Sequence, residues 1–160
     1  MPNVISPRPR AVGGGPKRHF AIVASQFNST YVQGLIDHVT AELRAMMPAA
    51  TSSVIQVPGA FEIPVVVREH AQQKRGDVII AIGVILKGET NHAENLSRSV
   101  TDALQRIAVA HGTPVINAVL MFEDEDQARV RCLENEINRG TEAARAAVEI
   151  SNVMARLRNK

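Results

Sequence analysis

The sequence predicts an α/β protein in which a four-stranded parallel sheet is covered by helices on both faces. Four short apolar runs alternate with longer segments whose apolar residues recur every three or four positions. Such alternation requires right-handed strand–helix–strand crossovers, which make the sheet parallel. The longest apolar run, residues 78–86, lies between Asp77 and Lys87. It is too short to cross a bilayer as a helix, so it is a buried strand.

The predicted elements follow in order along the chain. The first helix begins at a cap formed by Asn28 or Ser29 and ends before Pro48, and the turn Pro58-Gly59 ends the second strand. The third helix begins near Asn91, and its apolar residues recur at steps of four and three. The predicted strands are residues 20–24, 53–57, 78–85 and 114–120. The predicted helices are residues 29–47, about 61–73, about 91–107, about 125–133 and about 141–158.

Length and composition favour one globular domain over residues 19–160, preceded by an extended arm over residues 1–18. The 160 residues are 45% hydrophobic and 21% charged, as in ordinary globular proteins. Prolines and a run of three glycines in the arm prevent a helix there, and the arm lacks the apolar core of a secretory signal. With no membrane span and one cysteine, we expect a soluble cytoplasmic protein.

Composition also argues against several classes of function. The single cysteine, Cys132, excludes an internal disulfide framework and a cysteine-rich zinc site, and no HExxH motif is present. We therefore predict no metal. Aromatic residues are only 3% of the chain, and no basic run is interleaved with them. Nucleic-acid binding through stacked bases is therefore not expected.

The loops that follow the four strands contain the candidate functional residues. Parallel sheets bind ligands at the carboxyl ends of their strands, so these loops are expected to converge on one edge. They are residues 25–28, 58–62, 87–92 and 121–124. Together they offer an aromatic face, a carboxylate, a glycine turn running into a helix, and an imidazole.

Each of these features also has an ordinary structural interpretation. The turn Gly88-Glu89-Thr90 before a helix is either an anion site or a plain capped turn, and it has neither P-loop nor GxGxxG spacing. His92 is a proton shuttle or a surface histidine. Glu62 binds ligand hydroxyls or satisfies backbone N–H groups at a helix start. Phe27 is a stacking surface for a planar ring or a lid over the core.

Taken together, the motifs resemble the lumazine synthase family, which catalyses the penultimate step of riboflavin biosynthesis. The resemblance rests on VPGAFEIP at residues 57–64, on GVILKGETNH at residues 83–92, and on the turn Ser25-Gln26-Phe27-Asn28. The stretch Glu125-Asp126-Gln127-Ala128 followed by Arg131 is also similar. The resemblance covers residues 19–157 with the family's spacing. It implies a flavodoxin-like three-layer αβα sandwich.

The resemblance implies a reaction without metal or organic cofactor. The family condenses 5-amino-6-(D-ribitylamino)uracil with 3,4-dihydroxy-2-butanone 4-phosphate to give 6,7-dimethyl-8-ribityllumazine, phosphate and water. By position, His92 is the implied proton-transfer residue, and Arg131 with Gly88, Glu89 and Thr90 is implied to bind the phosphate. Phe27 is implied to stack on the pyrimidine with Asn28 nearby, and Glu62 to accept from ribityl hydroxyls. The other implied substrate contacts are Gly59, Ala60, Ile85, Leu86, Asn117 and Arg139.

The resemblance further implies a homo-oligomer, a pentamer or a multiple of pentamers, with active sites at subunit interfaces. Asn117 and Arg139 match positions that family members contribute across a subunit contact, and the N-terminal arm often adds a strand to a neighbouring sheet. An alternative is a non-catalytic lumazine- or flavin-binding protein on the same scaffold, because Ala93 and Asn95 stand where the family has aromatic residues. A flavodoxin-type electron carrier is disfavoured because Phe27 occupies the middle of the first turn.

Overall fold

The computed structural model describes residues 7–10 and 17–159. Its centre is a parallel sheet with strand order β2-β1-β3-β4, the flavodoxin-like order, which confirms the predicted fold class. The strands are β1 (His19–Ser25), β2 (Thr51–Val57), β3 (Val78–Leu86) and β4 (Val115–Phe122). The helices are α1 (Ser29–Met46), α2 (Ile63–Gln72), α3 (His92–His111), α4 (Glu125–Cys132) and α5 (Arg139–Leu157).

Alternate residues of the sheet form two separate hydrophobic cores. Phe20 and Ile22 of β1 face α1, α4 and α5, whereas Ala21 and Val23 face α2 and α3. All eight residues of β3 from Val78 to Ile85 are buried, which explains why that strand is apolar on both faces. The three layers place the carboxyl ends of β1 and β3 side by side at one edge of the sheet.

Several element boundaries differ from those expected. β4 continues to Phe122, because Met121 and Phe122 pair with the last two residues of β3, so the expected loop at residues 121–124 is shorter. α2 begins at Ile63, after a single turn of 3-10 helix over Ala60–Glu62, with a proline in its first turn. α5 begins at Arg139, two residues earlier than expected, because the Asn138 side chain caps its first N–H groups.

The edge strand β2 is exposed along most of its length. Only Val57 of its seven residues is buried, and Val54 and Ile55 are 44% and 39% exposed although they point to opposite faces. No helix therefore covers β2 on either face within residues 17–159. A row of apolar and backbone groups is left available at this edge.

The described part of the N-terminal arm lies against α1 and α5. The Arg8 backbone N–H donates to Glu142 Oε1 at 2.9 Å, and the Arg10 guanidinium donates two hydrogen bonds to Glu42 at 2.9 and 3.0 Å. Residues 1–6 and 11–16 of the predicted arm lie outside the described residues.

Candidate active site

A cavity of about 570 Å³ opens at the carboxyl ends of β1 and β3, between α2 and α3. We call it the main cavity. It lies where parallel sheets bind their ligands, and loops from three separate parts of the chain meet there. Its lining residues are Phe27, Asn28, Gly59, Ala60, Phe61, Glu62, Val84, Ile85, Leu86, Gly88, Thr90, His92, Ala93 and Leu96.

The loop after β1 presents an aromatic ring to the main cavity. Asn28 adopts the left-handed conformation, with φ 57° and ψ 47°, and its side-chain amide donates to the Val84 carbonyl at 2.7 Å. Asparagine is among the few residues that tolerate this conformation. The amide therefore fixes the loop to β3, and Phe27 beside it remains 72% exposed, with its ring free to contact a planar ligand. Asn28 occupies the cap position of α1 as predicted, but its side chain does not cap the helix.

The turn between β2 and α2 contributes a carboxylate. Glu62 ends the 3-10 turn, and its backbone N–H donates to the Gly59 carbonyl at 3.2 Å. A Cβ atom added to Gly59 would lie 3.8 Å from the Glu62 carboxylate, so backbone and carboxylate border the same small space. The Glu62 carboxylate makes no side-chain cap to α2. It is therefore available to accept hydrogen bonds from hydroxyl groups of a ligand.

The turn between β3 and α3 brings an imidazole and a helix N-terminus to the main cavity. His92 is the first residue of α3, and its backbone N–H lies 3.4 Å from Thr90 Oγ1. A Cβ atom at Gly88 would meet nothing within 4 Å, so the backbone there borders open space. An exposed imidazole beside free N–H groups suits proton transfer next to a bound anion.

Lys87 connects this turn to its surroundings. Its Nζ lies 3.7 Å from Glu94 on the first turn of α3 and 3.5 Å from Glu123 in the loop after β4. Its backbone N–H donates to the Phe122 carbonyl at 2.9 Å. The end of β3 is thereby joined to both neighbouring elements. Such exposed ion pairs contribute little to the free energy of unfolding.

Four of the predicted site residues lie away from the wall of the main cavity. Glu89 is exposed in the turn, and Arg131 is half-buried on α4. Asn117 and Arg139 instead line a second cavity of about 680 Å³, which we call the β4–α5 cavity. Arg8 of the arm and Glu142 of α5 also line the β4–α5 cavity. The other ten predicted residues line the main cavity.

The main cavity also has lining residues that the sequence does not single out. Phe61 is 71% exposed and is, like Phe27, an aromatic residue that lines the main cavity. Single exposed hydrophobic residues are common on protein surfaces, so no signal in the sequence marks Phe61 as a site residue. Val84, Ala93 and Leu96 complete the apolar wall, and no sequence signal marks them either.

The described residues give no indication of thiolate or metal chemistry at either cavity. Burial raises the pKa of the Cys132 thiol to about 12, and this side chain packs in the core beneath α1. Within residues 7–10 and 17–159, no three His, Cys, Asp or Glu side chains are grouped to hold a metal ion. Over the same residues no helix is long and apolar enough to cross a membrane.

Comparison with known proteins gives a consistent result over nearly the whole chain. The family model described as 6,7-dimethyl-8-ribityllumazine synthase matches residues 17–155. A protein of that name from Azoarcus sp. (strain BH72) is 38% identical over 134 residues, which cover 83% of each chain. One from Leptothrix cholodnii is 38% identical over 88% of this chain and 89% of its own. One from Chromobacterium violaceum is 37% identical over 94% of both chains.

Proposed function

The chain belongs to the 6,7-dimethyl-8-ribityllumazine synthase family, and we propose that the main cavity is where it binds its substrates. The reaction is the condensation of 5-amino-6-(D-ribitylamino)uracil with 3,4-dihydroxy-2-butanone 4-phosphate, in riboflavin biosynthesis. The observation that carries the site assignment is the meeting of Phe27, Glu62 and His92 around one cavity. The relatives' names give no support to a non-catalytic binding protein.

The chemistry requires proton transfers rather than a cofactor. The 5-amino group of the uracil attacks the ketone to give an imine with loss of water, and phosphate then leaves as an anion to give an enol. The enol tautomerises to a ketone, which the ribitylamino nitrogen attacks to close the ring with loss of a second water. Each step moves a proton, and an imidazole can both give and accept one near neutral pH. His92 is the residue we assign to this role, because it is exposed and stands at the mouth of the main cavity.

The uracil substrate is assigned to the apolar part of the main cavity. Phe27 offers its ring to the pyrimidine, and Asn28 lies beside it. The ribityl chain extends toward Gly59 and Ala60, where the Glu62 carboxylate accepts from its hydroxyls. Backbone groups at Ile85 and Leu86, at the end of β3, then face the polar edge of the uracil. Holding both substrates side by side supplies much of the rate by itself.

The phosphate is assigned to the start of α3. Gly88, Glu89 and Thr90 offer backbone N–H groups and a hydroxyl at the positive end of a 20-residue helix. Arg131 is the proposed bidentate partner of the phosphate. Since Arg131 lies on α4 and outside the wall of the main cavity of its own chain, we assign its contact to the site of an adjoining subunit.

The proposed assembly is a homopentamer or a multiple of pentamers, working in the cytoplasm. Asn117 and Arg139 line the β4–α5 cavity rather than the main cavity, which fits residues offered to a neighbour's uracil. The uncovered strand β2 supports the same assembly, because the N-terminal arm of an adjoining subunit can pair with its free edge. Light scattering at micromolar concentration tests this, and a monomer would contradict it.

The proposed active site is tested by mixing the purified protein with both substrates and following the fluorescence of the lumazine. The rate should exceed the spontaneous reaction. We expect His92→Ala to lower kcat by up to about 100-fold while lumazine binding persists, since proton transfer contributes factors of this size. Lumazine binding without any acceleration by the wild-type protein would instead identify a carrier. An unchanged rate in His92→Ala would remove the histidine assignment.

A further inference from the structure

We propose that Arg8 of the N-terminal arm is a positioning residue of the shared active site, which acts by holding Glu142 away from Arg139. The proposal rests on the proposed function, in which Arg139 serves the substrate bound by an adjoining subunit. It concerns the β4–α5 cavity, which Arg8, Arg139 and Glu142 all line. Arg8 belongs to the arm that precedes the sheet, so it lies outside the motifs that define the family resemblance.

The spacing of Arg139 and Glu142 creates a competition within α5. The two residues are three positions apart on the first turn of the helix, a spacing at which opposite charges are neighbours on the helix surface and attract each other weakly. A guanidinium held by Glu142 must be released before it can meet a ligand. In the structure, Arg139 makes no ion pair with any residue of 7–10 or 17–159.

The Glu142 carboxylate is bound by Arg8 and not by Arg139. The Arg8 backbone N–H donates to Glu142 Oε1 at 2.9 Å, and Arg8 Nε lies 3.7 Å from Oε2. Arg8 Nη1 also donates to Glu149 Oε2 at 3.1 Å, two turns further along α5. Because both oxygens of Glu142 are turned toward the arm, the carboxylate is less available to Arg139.

The position of Arg8 next to Glu142 is also fixed by a contact to its backbone carbonyl. Its carbonyl accepts a hydrogen bond of 2.5 Å from Arg145, and Arg145 donates to Glu42 Oε2 at 2.6 Å. Glu42 is a buried carboxylate, which also accepts two hydrogen bonds from Arg10. Buried charges of this kind are retained only where they are paired. The arm is therefore fixed to the helices by Arg145 at the Arg8 carbonyl and by the two hydrogen bonds from Arg10 to Glu42.

The test compares Arg8→Pro, which removes both the backbone N–H and the guanidinium that face Glu142, with Glu142→Gln and the double variant in the full-length protein. We expect Arg8→Pro to raise KM for the ribitylaminouracil roughly two- to fivefold with kcat little changed, because the freed Glu142 then pairs with Arg139. Glu142→Gln alone should leave KM near the wild-type value, since an amide keeps the hydrogen bond from the arm. The double variant should return to the Glu142→Gln value, because no carboxylate remains to compete for Arg139.

This rescue separates positioning from a merely structural role of the arm. Arg44→Ala, which removes an exposed arginine from α1, is the matched control and should change neither constant. An unchanged KM in Arg8→Pro, a double variant as poor as Arg8→Pro, or an altered oligomeric state in Arg8→Pro would each overturn the proposal. The dissociation constant of 6,7-dimethyl-8-ribityllumazine, measured on the same proteins, should follow the same order. It decides the proposal even if the wild-type protein shows no turnover and the proposed function fails.

Discussion

The side-chain amide of Asn28 donates to the backbone carbonyl of Val84 across 2.7 Å, and so joins the loop after β1 to β3. The two residues are 56 positions apart in the chain. The contact lies at the wall of the main cavity, next to the ring of Phe27. It therefore fixes the proposed stacking surface relative to the strand that is proposed to face the uracil.

Substitutions of Asn28 should separate its two contributions. Asn28→Gly keeps the left-handed backbone and loses the hydrogen bond, which should lower the free energy of unfolding by about 1 kcal/mol. Asn28→Ala loses the hydrogen bond and also strains the backbone, which should cost about 1 kcal/mol more. Urea denaturation of the three proteins checks this order. Equal losses in both variants would show that the backbone conformation at Asn28 carries no cost.

Glu62→Gln should weaken binding of one substrate only. The carboxylate is proposed to accept from ribityl hydroxyls, and hydrogen bonds to a charged group are the stronger kind. We expect KM for the ribitylaminouracil to rise about tenfold while KM for the butanone phosphate stays unchanged. Glu69→Gln, at an exposed position of α2, is the control. A rise of both KM values would place Glu62 in the support of the fold rather than at the ribityl chain.

Mixed oligomers should show whether His92 and Arg131 act from different subunits. His92→Ala and Arg131→Ala are each expected to be nearly inactive alone. When the two variants are coexpressed and assemble together, about a quarter of the sites should combine an intact His92 with an intact Arg131 from the neighbour. Initial rates of lumazine formation measure the recovered activity. If mixing recovers none, both residues serve the site of their own chain.

The pH dependence of stability should depend on Glu42. Hydrogen bonds from Arg10 and then from Arg145, against the effect of burial, hold the pKa of this carboxyl below its ordinary value of 4.5. The contribution of Glu42 to the free energy of unfolding is therefore complete above pH 4.5. It is lost as the pH falls through the lowered pKa of the folded state. We expect Glu42→Gln to be less stable than the wild type by about 2 kcal/mol at neutral pH.

The difference in unfolding free energy between the wild type and Glu42→Gln should become smaller as the pH falls. Unfolding free energies measured between about pH 3 and pH 7 check this, because only the wild type loses the Glu42 contribution over that range. Glu69→Gln, which removes an exposed carboxylate, is again the control. A difference that stays constant with pH would mean that the Arg10 and Arg145 contacts do not favour the ionised form of Glu42.

Much of the fold follows from short-range signals in the sequence. The apolar run of β3, the four-residue repeat of α1 and the Pro58-Gly59 turn predict their elements because each reflects local burial or local backbone geometry. Ten of the predicted site residues line one cavity, since the loops that follow parallel strands must meet at one edge.

The remaining features depend on contacts between distant parts of the chain. The Asn28 side chain bonds to Val84 instead of capping α1, because a tertiary partner competes with the local one. Phe61 is left exposed at the main cavity by the 3-10 turn, whose position depends on how α2 packs. The separation of Arg131 and Arg139 from the main cavity depends on the placement of α4 and α5, which periodicity does not determine.

The uncovered strand β2 has a consequence for how this protein must be handled. Val54 and Ile55 are exposed on opposite faces of β2, and in the proposed assembly an adjoining chain covers them. The melting temperature of the protein should therefore rise with protein concentration, because assembly of native subunits stabilises the folded state. Where the proposed assembly dissociates, the same edge is open to pairing with other chains, so dissociated subunits are the species expected to aggregate.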